Sequence, residues 1–376
     1  MMKIGILSLV YQNWNFGGLL QGYALEKVVQ RICPTSAQIR VSRTMIDRSI
    51  KGLVASVMKS NRFFAEITNF LGHIKDPRNL KNFRNFQNQY IDLESFCNPV
   101  NAKKLNEGYD CFITGSDQVW NPQKMGVQAV EMFGLLFAER KKKKIAYAAS
   151  IGAEQLVPLY EKLFKKILDN MDHISVREES AKAALQPMTR KEIHVVLDPV
   201  MLLTAEEWEK VAKVPETDEP YVFCYFLGEP KNRHNEQFKA IANILGRKVR
   251  CISGEQNLYV REQDMEILDA GPREFIGNIY GAETVFVNSF HGTVFSIVFH
   301  KNFWVFCRDK QSVYNSANSR IIDLLRMFGL ENRIINDGDI PSFEKLQQPI
   351  DYQKVDAILE KKQSESLAWL TNAIDS

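Results

Sequence analysis

Short runs of β-branched and aromatic residues alternate with longer helical patterns along most of this chain, and this alternation limits the fold more than any other feature. It is typical of parallel sheets built from βα units. The strand candidates are residues 3–9, 109–114, 144–149, 173–176, 192–197, 221–227, 248–252, 265–268, 283–288 and 302–307. The helix candidates between them are residues 19–32, 156–170, 178–185, 235–245 and 293–300. So many strands do not fit one compact sheet, and the pattern therefore predicts an α/β protein with two domains.

The length of the chain agrees with two domains, because its 376 residues exceed the ~150 residues of a usual domain. The boundary falls near residues 186–191 or just after Pro199. We predict a first domain over residues 1–187 and a second over residues 188–350. The last segment, residues 351–376, has a helical pattern, and we expect this helix to pack back on the first domain.

A helical excursion is predicted within the first domain, at about residues 61–98. Phe83, Phe86 and Tyr90 are spaced to share one face of a helix there. We interpret this aromatic face as packing rather than as a ligand site.

The composition is that of an ordinary globular protein and not of a nucleic-acid binder. Apolar residues make up 45% of the chain and charged residues 25%, and the formal net charge is only +3. No window of about 18 apolar residues exists, so we expect a cytoplasmic protein without a transmembrane segment. The apolar residues 1–10 are short and lack a cleavage site, and we interpret them as a first strand and not as a signal peptide.

The six cysteines are scattered, without a CxxC motif or paired spacing. This argues against a zinc ribbon or a disulfide framework and suits a reducing cytosol. His, Cys and Asp residues form no cluster with metal-ligand spacing, so we expect no structural metal. The sequence leaves open whether a divalent ion assists a reaction.

One run of positive charge, formed by Arg140, Lys141, Lys142, Lys143 and Lys144, comes just before a strand candidate. One interpretation is a solvated loop between a helix and a strand. The other is a peripheral contact with anionic lipid or with a substrate linked to lipid pyrophosphate, which five clustered cations would attract.

Small and polar residues follow five of the predicted strands. They occupy residues 115–121, 150–152, 177–179, 253–255 and 289–293. In open parallel sheets, ligands bind at the carboxyl ends of the strands, where loops lead into helix N-termini. Because these segments divide between the two halves of the chain, they predict a site in a cleft between two domains.

Residues 289–293 carry the most specific of these patterns. A buried strand candidate precedes them and an apolar helix candidate follows, so His291 and the amides of Gly292 and Thr293 lie near a helix N-terminus. Such a terminus binds phosphate, and its dipole favours an imidazole that donates its proton readily. In this context we favour a functional His291 over a structural one.

Three further candidates follow predicted strands. Asp117 is a general base, an acceptor for sugar hydroxyls, or a helix N-cap. Arg177 either binds a carboxylate or phosphate through two parallel hydrogen bonds from its guanidinium or pairs with Glu178 or Glu179 on the surface. Residues 15–18 resemble a phosphate-cradling loop but lack the GxGxxG pattern of a dinucleotide site.

These segments, in this order, resemble the polysaccharide pyruvyl transferase family. The matching stretches are residues 13–25 (NWNFGGLLQGYAL), 110–122 (DCFITGSDQVWNP), 144–152 (KIAYAASIG), 174–179 (ISVREE), 195–202 (VVLDPVML) and 289–297 (SFHGTVFSI). Residues 319–325 resemble the late helix of the family that contains an arginine, here Arg320. The resemblance covers nearly the whole chain, and GSDQVWN together with SFHG is a specific combination.

The resemblance implies two Rossmann-like domains that face each other across a cleft, as in the GT-B glycosyltransferase architecture. It implies phosphoenolpyruvate as the donor and, as the acceptor, a sugar of a cell-surface polysaccharide or of its lipid-linked precursor. The product is a pyruvate ketal, phosphate is released, and no cofactor is implied beyond this co-substrate. His291 matches the HG motif of the family and is implied as the catalytic acid or base. Donor contacts are expected mainly from the second domain and acceptor contacts from the first.

The remaining residues are assigned by their place in these stretches and by the needs of ketal formation. Asp117 orients or deprotonates an acceptor hydroxyl, and the arginines and helix amides hold the anionic groups of the donor. The donor-binding residues are Arg177, Ser253, Gly254, Ser289, Gly292, Thr293 and Arg320. The acceptor-binding residues are Asn15, Gly17, Gly18, Ser116, Gln118 and Trp120.

Two other functions fit a chain of this kind. A GT-B-type glycosyltransferase that uses a nucleotide sugar has the same architecture, but it needs a longer pocket in the second domain. A non-catalytic glycan-binding protein is disfavoured by the presence of His291, Asp117 and Arg177 together.

Overall fold

The computed structural model describes residues 2–42, 80–98, 101–227, 233–252, 265–307 and 318–376. The chain divides into two compact units: unit 1 contains Met1–Pro199 and Trp369–Ser376, and unit 2 contains Val200–Ala368. Residues 61–79 of the predicted helical excursion, and the predicted donor-binding residues Ser253 and Gly254, lie outside the described residues.

Unit 1 is built around a parallel sheet of seven strands in the order β3-β2-β1-β4-β5-β6-β7. The strands are Ile4–Leu7 (β1), Ala37–Val41 (β2), Leu93–Cys97 (β3), Cys111–Thr114 (β4), Lys143–Ala149 (β5), His173–Val176 (β6) and Ile193–Val195 (β7). The α-helices among them are Phe16–Ile32 (α1), Leu80–Tyr90 (α2), Leu105–Gly108 (α3), Pro122–Met125 (α4), Val127–Phe133 (α5), Glu161–Asn170 (α6) and Glu179–Leu185 (α7).

Unit 2 is built around a parallel sheet of six strands in the order β10-β9-β8-β11-β12-β13. The strands are Tyr221–Tyr225 (β8), Lys248–Ile252 (β9), Met265–Leu268 (β10), Thr284–Val287 (β11), Asn302–Phe306 (β12) and Ile334–Ile335 (β13). The α-helices are Ala205–Glu209 (α8), Arg233–Leu245 (α9), Pro272–Gly281 (α10), Phe290–Val298 (α11), Ser319–Phe328 (α12), Phe343–Leu346 (α13) and Tyr352–Asp375 (α14), of which α14 ends in unit 1.

Both sheets have the Rossmann arrangement, in which the first strand of the unit pairs with the second on one side and with the fourth on the other. The strand order therefore reverses between β1 and β4 in unit 1 and between β8 and β11 in unit 2. Ligands of such sheets bind beside the carboxyl ends of the strands at this switch point. The predicted fold class, α/β with two Rossmann-like domains, is confirmed.

Every strand predicted from the sequence is present. β1 and β4 are buried at all positions, as is typical of central parallel strands with helices on both faces. The structure adds β2, β3 and β13 to the prediction. β3 corrects the helical excursion, since residues 93–97 form a half-exposed edge strand and not a helix.

The aromatic face predicted within residues 61–98 is confirmed as packing. Phe83 and Phe86 lie on α2 and are buried. The ring centroid of Phe83 lies 4.9 Å from that of Phe16, and Phe86 lies 5.7 Å from Tyr23. Gln87 on the same helix donates from Nε2 to two carbonyls of the loop after β1, and so holds that loop in place.

The chain passes from unit 1 to unit 2 after Pro199 and not after residue 187, because β7 pairs with β6 as the last strand of the first sheet. The last residues of α14 pack on the same sheet. The ring of Trp369 lies 6.1 Å from Tyr147 and 5.8 Å from His194 between centroids.

Two of the cysteines are paired, which corrects the expectation of a chain without disulfides. Cys224 on β8 and Cys251 on β9 are register partners, with Cα atoms 4.9 Å apart and a bond between their sulfur atoms. The sequence spacing gave no sign of this pair, because the register of two parallel strands brings it together.

The predicted contact with anionic lipid through five clustered cations stays a prediction, although the fold engages three of the five. Lys144 is buried and donates to carbonyls of its own loop, and its Nζ lies 3.6 Å from Asp172. Lys142 and Lys143 donate to backbone carbonyls as well. The fold thus uses three of the five cations, and Arg140 and Lys141 remain exposed.

Candidate active site

At the switch point of unit 1, the loop after β1 lies beside the turn after β4. Asn15 caps α1, and its side-chain oxygen accepts a hydrogen bond of 2.9 Å from the amide of Gly18. A Cβ atom at Gly18 would lie 3.5 Å from Oδ2 of Asp117. The Asp117 carboxylate therefore faces the first turn of α1, where the helix dipole stabilises negative charge.

The turn after β4 has an unusual backbone. Gly115 has a φ of +129°, and a Cβ atom there would lie only 1.9 Å from the carbonyl oxygen of Tyr147, so this position requires glycine. Asp117 has a φ of +60°, a left-handed conformation that Asp tolerates better than most residues. Between them, the amide of Ser116 donates to Oε1 of Gln21 over 2.8 Å. A non-glycine residue in the left-handed conformation, such as Asp117, is typical of functional sites.

The end of β6 places Arg177 among three carboxylates. Its Nη1 lies 2.9 Å from Asp198, its Nε 3.3 Å from Glu178 and its Nη2 3.7 Å from Asp117. The side chains of Arg177 and Asp198 are 1% and 0% exposed, whereas that of Asp117 is 10% exposed. Burial by itself lowers the pKa of Arg177, but the three carboxylates outweigh it and raise that pKa above its ordinary value.

That Arg177 clamps the donor stays a prediction of the sequence, and these contacts argue against it. A phosphate or carboxylate brought to this guanidinium would meet three negative charges that already engage its nitrogens. Arg177 is the buried counter-ion of these carboxylates. The pairing with Glu178 that the sequence offered as an alternative is present, but in the interior and not on the surface.

Two of the predicted acceptor residues, Trp120 and Gln118, follow Asp117 closely in the chain but differ in burial. Trp120 is 0% exposed within the hydrophobic core of unit 1, and its indole N–H donates to the carbonyl of Phe133 over 3.2 Å. The acceptor role of Trp120 is therefore wrong. Gln118 is half-buried, and its Oε1 accepts from Asn121 over 2.9 Å.

In unit 2, α11 begins directly after β11, at the switch point of the second sheet. Ser289 is the N-cap, and its hydroxyl oxygen accepts from the amide of Gly292 over 3.0 Å. The amide of Thr293 donates to the carbonyl of Ser289 over 3.1 Å. The prediction that the amides of Gly292 and Thr293 hold phosphate is corrected, since both already donate within the helix.

His291 occupies the second position of α11 and is 8% exposed. Its ring lies against that of Phe290 in an edge-to-face contact, with 5.2 Å between centroids. Asn288 directly follows β11 and forms two hydrogen bonds with the backbone of Leu227, which lies after β8. These bonds join the ends of β8 and β11. Arg320 is buried on α12, which packs against α11.

The structure thus brings Asn15, Gly18, Ser116 and Asp117 together in unit 1, with Gly17 in the first turn of the same helix. It places His291 and Arg320 on neighbouring helices of unit 2. That the two sets line one cleft stays a prediction of the sequence.

Sequence reasoning missed Asp198 as a member of the unit 1 site and gave no role to Ser150, although it lies in one of the predicted polar segments. Ser150 donates from Oγ to the carboxylate of Glu178, and Asp198 pairs with Arg177. A signal for Asp198 was present, because it comes directly after the predicted strand at residues 192–197.

The model of the polysaccharide pyruvyl transferase family matches residues 15–309 of the chain. The chain belongs to this family. The match includes both switch points, with the turn at Asp117 and the start of α11 at His291. No curated protein matches the chain.

Solved structures with a similar fold include sugar-nucleotide epimerases and a glycosyltransferase. The putative UDP-N-acetylglucosamine 2-epimerase from Listeria monocytogenes has a TM-score of 0.53 and 9% identity, over 99% of this chain and 91% of that one. The UDP-GlcNAc 2-epimerase from Methanocaldococcus jannaschii has a TM-score of 0.50 and 11% identity, over 96% and 92%. The calicheamicin glycosyltransferase CalG4 has a TM-score of 0.46 and 13% identity, over 100% and 98%. At these identities the likeness concerns the fold alone.

Among the described residues of this chain, no group of three or more His, Cys, Asp or Glu side chains is arranged to hold a metal ion. No helix in the described ranges is both long and apolar enough to cross a membrane.

Proposed function

We propose that this protein transfers the pyruvyl group of phosphoenolpyruvate to two hydroxyls of one sugar, in a cell-surface polysaccharide or its lipid-linked precursor. Membership of the polysaccharide pyruvyl transferase family carries this proposal. The product is a cyclic pyruvate ketal, and inorganic phosphate leaves.

The reaction needs one proton at carbon and two new C–O bonds. The first hydroxyl oxygen attacks C2 of the donor while C3, the methylene carbon, gains a proton and becomes a methyl group. The second hydroxyl oxygen then replaces phosphate at C2, and its proton leaves with the phosphate. The protein must therefore supply a proton donor near C3, a base near the hydroxyls and a cationic environment for the donor.

We assign the proton donor to His291. Imidazole titrates near neutrality and so both releases and takes up a proton under working conditions. Its position at the first turn of α11, at a switch point of the sheet, supports this role.

We assign the base for the acceptor hydroxyl to Asp117. Among the carboxylates around Arg177 it has the most exposed side chain, at 10%. Gly18 lets the first turn of α1 approach the carboxylate closely, and Asn15, the N-cap of that helix, is exposed and able to contact a sugar hydroxyl.

We assign Arg320 to the anionic donor in place of Arg177. A guanidinium binds a carboxylate or phosphate through two parallel hydrogen bonds. Arg320 lies on α12, the helix that packs on α11, so it belongs to the same unit as His291.

The test is an assay of phosphate release and of product mass. The protein is incubated with phosphoenolpyruvate and a panel of aryl and lipid-linked glycosides. We expect phosphate release that depends on one acceptor and a mass gain equal to one pyruvate ketal. A protein whose melting temperature rises with a UDP- or GDP-sugar and not with phosphoenolpyruvate would instead be a GT-B-type glycosyltransferase.

A further inference from the structure

The carboxylate of Asp198 is shared between two groups that hold Asp117. Its Oδ2 lies 2.9 Å from Nη1 of Arg177 and 3.4 Å from Oγ of Ser116, whose hydroxyl donates to the carbonyl of Ala148 over 2.8 Å. Arg177 is the ion-pair partner of Asp117, and Ser116 is its neighbour in the chain. Asp198 therefore acts on Asp117 through charge, by way of Arg177.

The three carboxylates around Arg177 differ in their access to a ligand. The side chain of Asp198 is 0% exposed and that of Glu178 is 2% exposed, so neither contacts a substrate. Asp117 is more exposed, and its distance of 3.7 Å to Arg177 is the longest of the three. Asp117, the carboxylate farthest from the guanidinium, is thus also the most exposed of the three.

We propose that Asp198 is a positioning residue for the transfer reaction, which sets the basicity of Asp117 by competing with it for Arg177. This inference rests on the proposed role of Asp117 as the base for the acceptor hydroxyl. Asp198 takes up much of the positive charge of Arg177, so the Asp117 carboxylate keeps its affinity for a proton. Without that competition Arg177 would bind Asp117 more tightly and make it a weaker base.

The groups around Asp117 in the described part of the chain determine the direction in which its pKa changes when Asp198 loses its charge. The charged ones are Arg177, Glu178 and Asp198, from the ends of β6 and β7. The start of α1 adds the neutral Gly18 and a positive helix end. Removing one negative charge from this set favours the ionised form of Asp117, so the pKa of Asp117 falls.

The experiment compares Asp198→Asn with the unaltered protein. Asn has the same shape and keeps an oxygen for Ser116 and Arg177, but it carries no charge. We expect turnover to fall about tenfold with an unchanged KM for the donor. We also expect the acid limb of the pH profile to move to lower pH by about one unit. A variant with a lower melting temperature and an unmoved acid limb would mark Asp198 as a structural residue and overturn the inference.

A matched control is Asp172→Asn, at the opposite end of β6. Asp172 lies 3.6 Å from the buried Lys144, so this variant also removes a carboxylate from a buried cation of the same sheet. We expect it to lower the melting temperature and to leave the acid limb in place. An equal movement of the acid limb in both variants would overturn the inference.

A second variant and a second measurement separate this inference from the proposed function. Glu178→Gln removes the charge next to Nε of Arg177 and should move the pKa of Asp117 in the same direction. The ¹³C carboxyl signal of Asp117, assigned with Asp117→Asn, reports that pKa without any turnover. If pyruvyl transfer is absent but the signal still titrates at lower pH in Asp198→Asn or Glu178→Gln, the proposed function fails and the coupling stands. If transfer is present and neither variant moves the titration, the coupling fails.

Discussion

Unit 1 and unit 2 support their candidate catalytic groups in different ways, although both use the switch point of a Rossmann-like sheet. In unit 1, Asp117 belongs to a set of buried charges that meet at Arg177. In unit 2, His291 sits on the first turn of a helix whose N-cap is the hydroxyl of Ser289. The comparison teaches that the same position in a fold can be stabilised by paired charges or by backbone geometry, and that the two respond to mutation differently.

The largest effect is expected from breaking the charge set of unit 1. Arg177→Met leaves Asp198, Glu178 and Asp117 without their cation and should lower the free energy of unfolding by about 3–5 kcal/mol. Arg177→Lys should lose less, because it restores the charge without the fork. Urea unfolding measures both.

The control for this prediction is Arg247→Met. Arg247 pairs with Glu283 on the surface of unit 2, where both side chains are more than a third exposed, so its loss should lower the free energy of unfolding far less than the loss of Arg177. An equal loss of unfolding free energy in Arg177→Met and Arg247→Met would show that the buried charges around Arg177 stabilise unit 1 no more than a surface ion pair does.

The next effect concerns His291 in unit 2. His291→Ala should lower turnover by ~10²-fold or more, and His291→Gln should fail almost as badly, because an amide does not titrate near neutrality. The melting temperature should change little, since the cap of α11 is formed by Ser289. Turnover, donor affinity and melting temperature are measured for both variants.

His300→Ala serves as the control for His291. His300 lies at the surface, with its Nε2 2.8 Å from Asp356, and we expect full turnover from this variant. An active His291→Gln enzyme would rule out proton transfer by His291 and remove the contrast with unit 1.

A smaller effect should come from a buried carboxylate of unit 1 that has no buried cation. Glu26 on α1 is fully buried, and burial raises its pKa from 4.5 to about 7, against the partial compensation of Lys27. The folded protein binds this proton more tightly than the unfolded chain does. The contribution of Glu26 to the free energy of unfolding is therefore largest below about pH 4.5 and is lost as pH rises to about 7. Glu26→Gln should remove this decline and stabilise the protein by about 2 kcal/mol at pH 8.

The measurement is the free energy of unfolding of both proteins at pH 5 and pH 8. The difference between them should be larger at pH 8. A difference that does not change with pH would show that burial does not raise the pKa of Glu26.

The smallest effects are expected at the two helix caps. Asn15→Ala and Ser289→Ala should each lower the free energy of unfolding by about 1 kcal/mol, since each removes one hydrogen bond from a helix start. Asn15→Ala should also raise the KM of the acceptor, whereas Ser289→Ala should not. An acceptor KM that rises in both variants would contradict the assignment of the acceptor to unit 1.

The sequence by itself determined the strands of both sheets and the segments that follow them. Central parallel strands are buried on both faces, so β1, β4, β8 and β11 are apolar runs that a local pattern reveals. The edge strand β3 is half-exposed and β13 has only two residues, so neither carries such a pattern. The motifs around Asp117 and His291 were enough to identify the family that the match over residues 15–309 then established.

Only the tertiary structure decided which partners these residues have. Arg177 and Asp198 meet because β6 and β7 are neighbours, and this contact turned a predicted donor clamp into a buried counter-ion. Trp120 follows the same strand as Asp117 but points into the core. A local pattern states that a residue follows a strand, whereas its direction and its charged neighbours depend on strand register and on side chains distant in the sequence.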